Sequence, residues 1–267
     1  MNTKSQLYDR RRWLELAVAG AASLWLPRSA CSQPRWRSNP FALGVASGSP
    51  GHDSVVLWTR LVAAELDDAA RAPVTVGWQV AHDESFNRIV RRGQAQALAE
   101  LAFSVHAEVA GLEPDRWYFY RFTVGDAISS VGRTRTFPHP SADPARLRLG
   151  YASCQRWEHG YYSAWRHMRA EDLDAVLFLG DYIYEYPGAF NAVRPVSGGW
   201  VTTLADYRQR YALNKSDEDL QAMHAACPWL LTWDDHEVQN DYAGLHPGDS
   251  GLAVSDFAAR RSPAYPA

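Results

Sequence analysis

Three short stretches hold side chains that could do chemistry together: Ser153-Cys154-Gln155, Gly180-Asp181-Tyr182-Ile183-Tyr184 and Trp233-Asp234-Asp235-His236-Glu237. Each closes an apolar run: Leu147 to Ala152, Ala175 to Leu179, and Trp229 to Thr232. In α/β proteins ligands collect at the carboxyl ends of strands. A thiol, carboxylates, a phenol and an imidazole delivered there have the makings of a metal site that activates water against a phosphate ester. A hard phenolate at Tyr184 beside a soft thiolate at Cys154 suits a ferric ion, whereas carboxylates and amides suit calcium or magnesium. His236 is a candidate general acid or ligand, and Glu237 a candidate supporting group.

Each signal also has a plainer reading. Gly180-Asp181 alone is a turn, and Tyr184 alone is a core residue. Asp234 and Asp235 could cap a helix N-terminus. Cys154 and Cys227 could form one disulfide in an oxidising compartment. Against that, Cys154 sits among the carboxylates, which favours a ligand. Cys227, before Pro228, reads as a small buried hydrophobe.

These groups need a scaffold. After a Pro-rich linker, Pro138 to Pro144, apolar strand-like runs alternate with helical patterns. Tyr161 to Ala170, Leu204 to Tyr211, and Asp217 to Ala226 with Ser216 as N-cap read as helices. Strand–helix–strand order implies an α/β layer with parallel pairing. Val196-Ser197-Gly198-Gly199 reads as a loop. The stretch from Phe41 to Phe137 is different. Val55–Thr59, Val74–Val80, Phe103–Val109 and Trp117–Val124 are β-branched, aromatic or alternating. They predict a small β-sandwich that folds on its own. Leu112-Glu113-Pro114 leading into Tyr118 and Tyr120 resembles the tyrosine-corner strand of fibronectin type III domains. His52, His82 and His106 read as surface or turn residues.

The chain has 267 residues, 46% of them hydrophobic, and 11 Trp, enough for two domains with real cores. Its net charge is −3. Residues 1–33 place Lys4, Arg10, Arg11, Arg12 and Arg28 against Asp9 and Glu15, so the remainder is more acidic still. That excludes a basic nucleic-acid footprint. Asp9-Arg10-Arg11-Arg12-Trp13-Leu14 before the apolar run Leu16 to Leu26 resembles a twin-arginine export signal, although Glu15 stands where that pattern prefers a base. An ordinary secretory signal or an amphipathic helix is the alternative. The run is too short for a comfortable transmembrane anchor. Ala30-Cys31-Ser32 fits a cleavage site leaving Gln33 first. Cys31 could instead be lipidated, but Arg28 argues against that.

The leader, Phe41-Ala42-Leu43-Gly44-Val45-Ala46-Ser47-Gly48, the β segment and the three motifs, with Leu179 and Glu185 flanking the second, together resemble the alkaline phosphatase D (PhoD-type) family. This is a branch of the calcineurin-like metallophosphoesterases. The resemblance runs to about Arg261. It implies an α/β fold class: an N-terminal fibronectin III-like β-sandwich over 38–138, then the first half of a metallophosphoesterase sandwich over 146–267, behind a signal over 1–33. It also implies Fe(III) and Ca2+ as cofactors, with Cys154 and Tyr184 on iron and Asp181 bridging the ions. Asp235 stands at the position that usually carries a metal-binding Asn, and Asn240 reaches the calcium side. His236 contacts phosphate or protonates the leaving group. The implied activity is hydrolysis of phosphomonoesters, with phosphodiesters as a second class, by an exported enzyme that uses the twin-arginine machinery and resides in the periplasm or outside the cell. Members of the family carry further metal-binding aspartates and histidines in a second half. Such motifs do not follow Arg261 here, and Ser262 to Ala267 reads as neither strand nor helix. The site therefore reads as half-built, and the chain alone as a poor phosphatase. Two other readings compete: a non-catalytic surface-binding module or degenerate remnant, and a cysteine hydrolase with Cys154 as nucleophile and His236 as base.

Overall fold

The computed structural model describes residues 36–68, 72–188, 191–248 and 254–264. The leader reading, Arg10, Arg11 and Cys31 included, lies outside the described residues.

Alternation builds the first half. In β6 (Trp117–Val124) every second side chain, Tyr118, Tyr120, Phe122 and Val124, is buried, as the period of two in a strand requires. β2 (Ser54–Arg60) buries Val55 and Leu57, and β5 (Ser104–Ala110) buries Val105, Ala107 and Val109. These inward faces belong to two sheets and meet in one core with Phe41, Val76 and Val80. Each large apolar side chain in it contributes roughly 1.5–3 kcal/mol relative to exposure. One sheet takes β4 (Ile89–Ala97), β3 (Val74–Ala81), β6 and β7 (Ala127–Ile128) in that order, with β8 (Gly132–Arg135) also on β6. The Tyr118 hydroxyl accepts a hydrogen bond from the Glu113 backbone N–H at 2.8 Å, fixing the corner that the sequence suggests.

The other sheet does not stop at the sandwich. Its order is β5-β2-β1-β11-β10-β9, with β1 (Val45–Gly48), β9 (Leu149–Ala152), β10 (Ala175–Phe178) and β11 (Trp229–Leu231). β1 pairs antiparallel with β2 on one edge and parallel with β11 on the other, at Gly48 and Trp229. A Cβ on Gly48 would lie 2.9 Å from the Trp229 carbonyl oxygen, so glycine is what lets these strands approach. The two segments keep separate cores but share a sheet. An isolated 41–137 fragment would keep its own core and lose only the β11 partner of β1, at Gly48 and Trp229.

β9, β10 and β11 run parallel. Helices α2 (Ser163–Arg169), α3 (Leu204–Lys215) and α4 (Glu218–Ala226) cover one face, where Trp165, Tyr207, Leu220 and Met223 meet Val176, Phe178 and Trp229. A short helix, α1 (Ala64–Asp68), follows β2. Two local readings change. The N-cap of α4 is Asp217, not Ser216: Asp217 is extended and accepts from Leu220 N–H, while Ser216 already caps the end of α3 in helical geometry. Helix α5 (Val254–Ala264) runs through Ser262 and Pro263, where the sequence suggested neither helix nor strand. On the face opposite α2–α4, Leu149, Tyr151 and Leu230 are exposed.

Candidate metal centre

The loops leaving β9 and β10 are tied beyond the strand ends. Cys154 N–H donates to Gly180 C=O, and Gln155 N–H to Asp181 C=O, each at 3.1 Å. Gly180 (φ +101°) lets the third loop come close, since a Cβ there would lie 2.4 Å from Asp234 N. Cys154 and Asp181 both sit in the left-handed region, at φ 60° and 58°. Non-glycine residues held there cost on the order of 1–3 kcal/mol each and cluster at functional sites.

The strained turns bring the chemistry together. The Cys154 thiol donates to Asp181 Oδ2 at 3.3 Å, and the Tyr184 hydroxyl donates to the same oxygen at 3.3 Å. Ligand atoms of Asp181, Asp235 and His236 lie within 4.8 Å of one another. Asp181 is buried and its Oδ1 has no hydrogen-bond partner. A buried carboxylate oxygen left without a donor is expensive unless a cation completes it. A thiol, a phenol and two carboxylates, all able to ligate, are the donor set such a cation needs, so the residues fit a metal. In the protein alone, burial raises the Asp181 pKa, with the Cys154 hydrogen bond opposing. Burial likewise raises that of Tyr184, helped by the nearby Asp181 and Cys154. A bound cation acts in the opposite sense.

Two buried glutamates brace this cluster. Glu237 accepts the backbone N–H of Asp181 (3.0 Å), Tyr182 (2.6 Å) and Asp234 (2.8 Å), locking the loops after β10 and β11 to each other. Glu185, to which the sequence reading gave no role, accepts from His236 Nδ1 at 2.8 Å and from Asn240 N–H at 2.9 Å. Its signal lay only in its place next to Tyr184. Burial works against a charged His236, but the Glu185 hydrogen bond and the charges of Glu185, Asp181 and Asp235 outweigh it and raise the pKa. The imidazole also packs 4.2 Å from the Tyr184 ring.

Cys154, Asp181, Tyr184, Asp235 and His236 thus converge. Asn240 stands one layer out: its amide donates to Asp241 at 2.8 Å, and Asp241 N–H in turn donates to Asp235. No helix begins at Asp234-Asp235, so these acids are not helix caps. Cys154 and Cys227 are both free thiols, and burial pushes Cys227 up to about 12, an inert group. The Cys154 thiol bonds Ser153 and Asp181 while His236 Nδ1 is held by Glu185; no thiol–imidazole pair of the kind a cysteine hydrolase needs is present among the described residues.

Comparison with known proteins gives matching results. The family model for the PhoD-like phosphatase matches residues 149–267, and that for the PhoD-like phosphatase N-terminal domain matches residues 27–138. Alkaline phosphatase D of Bacillus subtilis (strain 168) is 46% identical, over 99% of this chain and 48% of the relative. A solved structure of PhoD superposes with a TM-score of 0.82 at 49% identity, covering 87% of this chain and 46% of that one. The chain therefore spans about half the length of the relatives it matches.

Proposed function

The chain belongs to the PhoD-like phosphatase family, and from that premise we propose that it serves an exported, metal-dependent hydrolase of phosphomonoesters, with phosphodiesters as a second class. The observation that carries this reading is the convergence of a thiol and a phenol on one oxygen of Asp181 while its other oxygen is buried without a partner. Cys154 and Tyr184 would hold a ferric ion. Asp181 would serve both ions and Asp235 would serve calcium; Asn240, whose amide N–H is held by Asp241, would reach the calcium side only through its amide oxygen. When bound, such cations supply positive charge for phosphate and a more acidic water. His236 supplies the proton for the leaving oxygen: Glu185 holds its Nδ1, fixing the tautomer and leaving Nε2 for the substrate. We read residues 38–138 as a fibronectin III-like sandwich, supported by the Tyr118 corner, and residues 146–267 as the part that bears the chemistry.

The test is direct. The purified chain, supplied with iron and calcium, is expected to turn over an aryl phosphate weakly, because the described ligands supply only part of a two-metal set. His236→Ala should lower that rate by roughly 10²–10⁴-fold. Metal-free turnover blocked by thiol alkylation would favour the cysteine hydrolase instead. A chain that binds neither ion and turns over neither an aryl monoester nor an aryl diester would be the binding module.

Export rests on the leader, and among the described residues no helix is long and apolar enough to cross a membrane. Changing Arg10 and Arg11 to Lys is expected to leave a fused reporter in the cytoplasm; undiminished export would remove the twin-arginine route.

A further inference from the structure

A cavity of about 430 Å³ opens where β1 meets β11. None of Cys154, Asp181, Tyr184, Asp235 or His236 lines it, although Tyr182 and Glu237, which border the metal cluster, do. Lys215, the last residue of α3, does line it. Its ammonium lies 4.4 Å from the centre of the Trp58 ring and 5.2 Å from that of Tyr182. Among the described residues no carboxylate is within ion-pair distance of it. Glu237 lines the same cavity, but its oxygens are taken by three backbone N–H groups. His224, also in the lining, bonds the Tyr182 hydroxyl through Nε2 at 2.8 Å and keeps a buried Nδ1 without a partner.

A cation partly withdrawn from water against aromatic faces, with no counter-ion, carries a cost, and cation–π contacts return only part of it. A concave, largely apolar space with one charge and few polar groups is the usual form of a small-ligand site. We propose that this cavity binds a small organic anion, a carboxylate or phosphate carried on a planar apolar group, with Lys215 as its charge partner and Trp58 and Trp229 among its walls.

One consequence separates this from non-specific apolar binding. Burial pulls Lys215 down to about 7. The groups facing it are His106 from β5, His224 from α4, Tyr211 from α3, and Tyr182 and Glu237 from the two loops. Both histidines are pushed toward the neutral form, by burial first and then by the charge of Lys215 itself. An anion stabilises the charged ammonium, so binding near pH 8.5 must take up a proton and be weaker than near pH 6.5, by up to about tenfold per pH unit.

The experiment is calorimetric titration of the 267-residue chain with 2-naphthoate, which contains no ester bond, in buffers of differing ionisation enthalpy. Expected are one saturable site, proton uptake at the higher pH, and loss of about tenfold or more in affinity in Lys215→Met. Lys215→Met should stay folded, since an apolar group of similar length replaces a half-buried cation that has no counter-ion. Lys215→Arg should bind without the pH dependence, because guanidinium does not titrate there. Asp235→Ala should bind as the parent does. Undiminished binding in Lys215→Met, binding lost in Asp235→Ala, or no binding at millimolar naphthoate would each overturn the proposal. None of these readouts depends on phosphatase activity, so the site stands or falls apart from the proposed function.

Discussion

An Asp181→Asn chain is expected to lose its metal, with affinity falling on the order of 100-fold or more. Groups that only support a ligand are already worth about 10–100-fold, and Asp181 is the point on which Cys154, Tyr184, Asp235 and His236 converge. Asparagine is the informative replacement. It keeps the shape and tolerates the left-handed backbone at φ 58°, where alanine would add strain. What it removes is the negative charge and one acceptor. Equilibrium dialysis followed by elemental analysis of iron and calcium measures the loss directly, and any turnover of an aryl phosphate should vanish in parallel. A metal content equal to the parent's would mean that the buried, unpartnered Oδ1 is not a ligand position, and the centre would have to be sought elsewhere.

The strand ends were legible because local pattern determines them. A short apolar run followed by glycine and aspartate can hardly place that aspartate anywhere but at a sheet's edge, and Asp181 lies there. The apolar run before Asp235 locates it in the same way. Long-range pairing was not legible. β1 pairs with β11 across most of the chain, and nothing local to Val45–Gly48 announces that its free edge will take Trp229 rather than solvent. Glu185 was missed for the same reason, since its work is done on His236, 51 residues later. Ser216 and Asp217 are both good caps, and only the backbone angles decide between them. The sequence pattern ends α3 at Tyr211 and gives Lys215 no place; the helix runs on to Lys215, and Trp58 and the shared sheet surround its ammonium. The left-handed turns at Cys154 and Asp181 are invisible in sequence because neither residue is the glycine that usually marks such a turn.

Glu237→Ala should have the largest effect on stability. Glu237 is 2% exposed, and its two oxygens take three backbone N–H groups from two loops. Burial raises its pKa even against those three donors, so the charge itself is not where the stabilisation lies. The asymmetry of hydrogen bonding decides the outcome. A made bond contributes modestly, but a buried donor left without its acceptor costs roughly 1–3 kcal/mol. Three are orphaned together, and relief of the buried charge offsets only part of that. The expected loss is about 3 kcal/mol or more, a large share of the 5–15 kcal/mol that typically separates folded from unfolded protein. A urea midpoint well below the parent's would record it. Glu237→Gln should fall between the two, because the amide keeps one acceptor oxygen but turns a donor toward the remaining N–H groups. Two of the three donors, Asp181 N–H and Tyr182 N–H, belong to the turn that aims the Asp181 carboxylate. Metal affinity should therefore fall with stability, even below denaturing urea. An alanine variant with the parent's midpoint and the parent's metal content would show that water or a rearranged loop satisfies those donors, and that the turn at Asp181 is held by its own sequence.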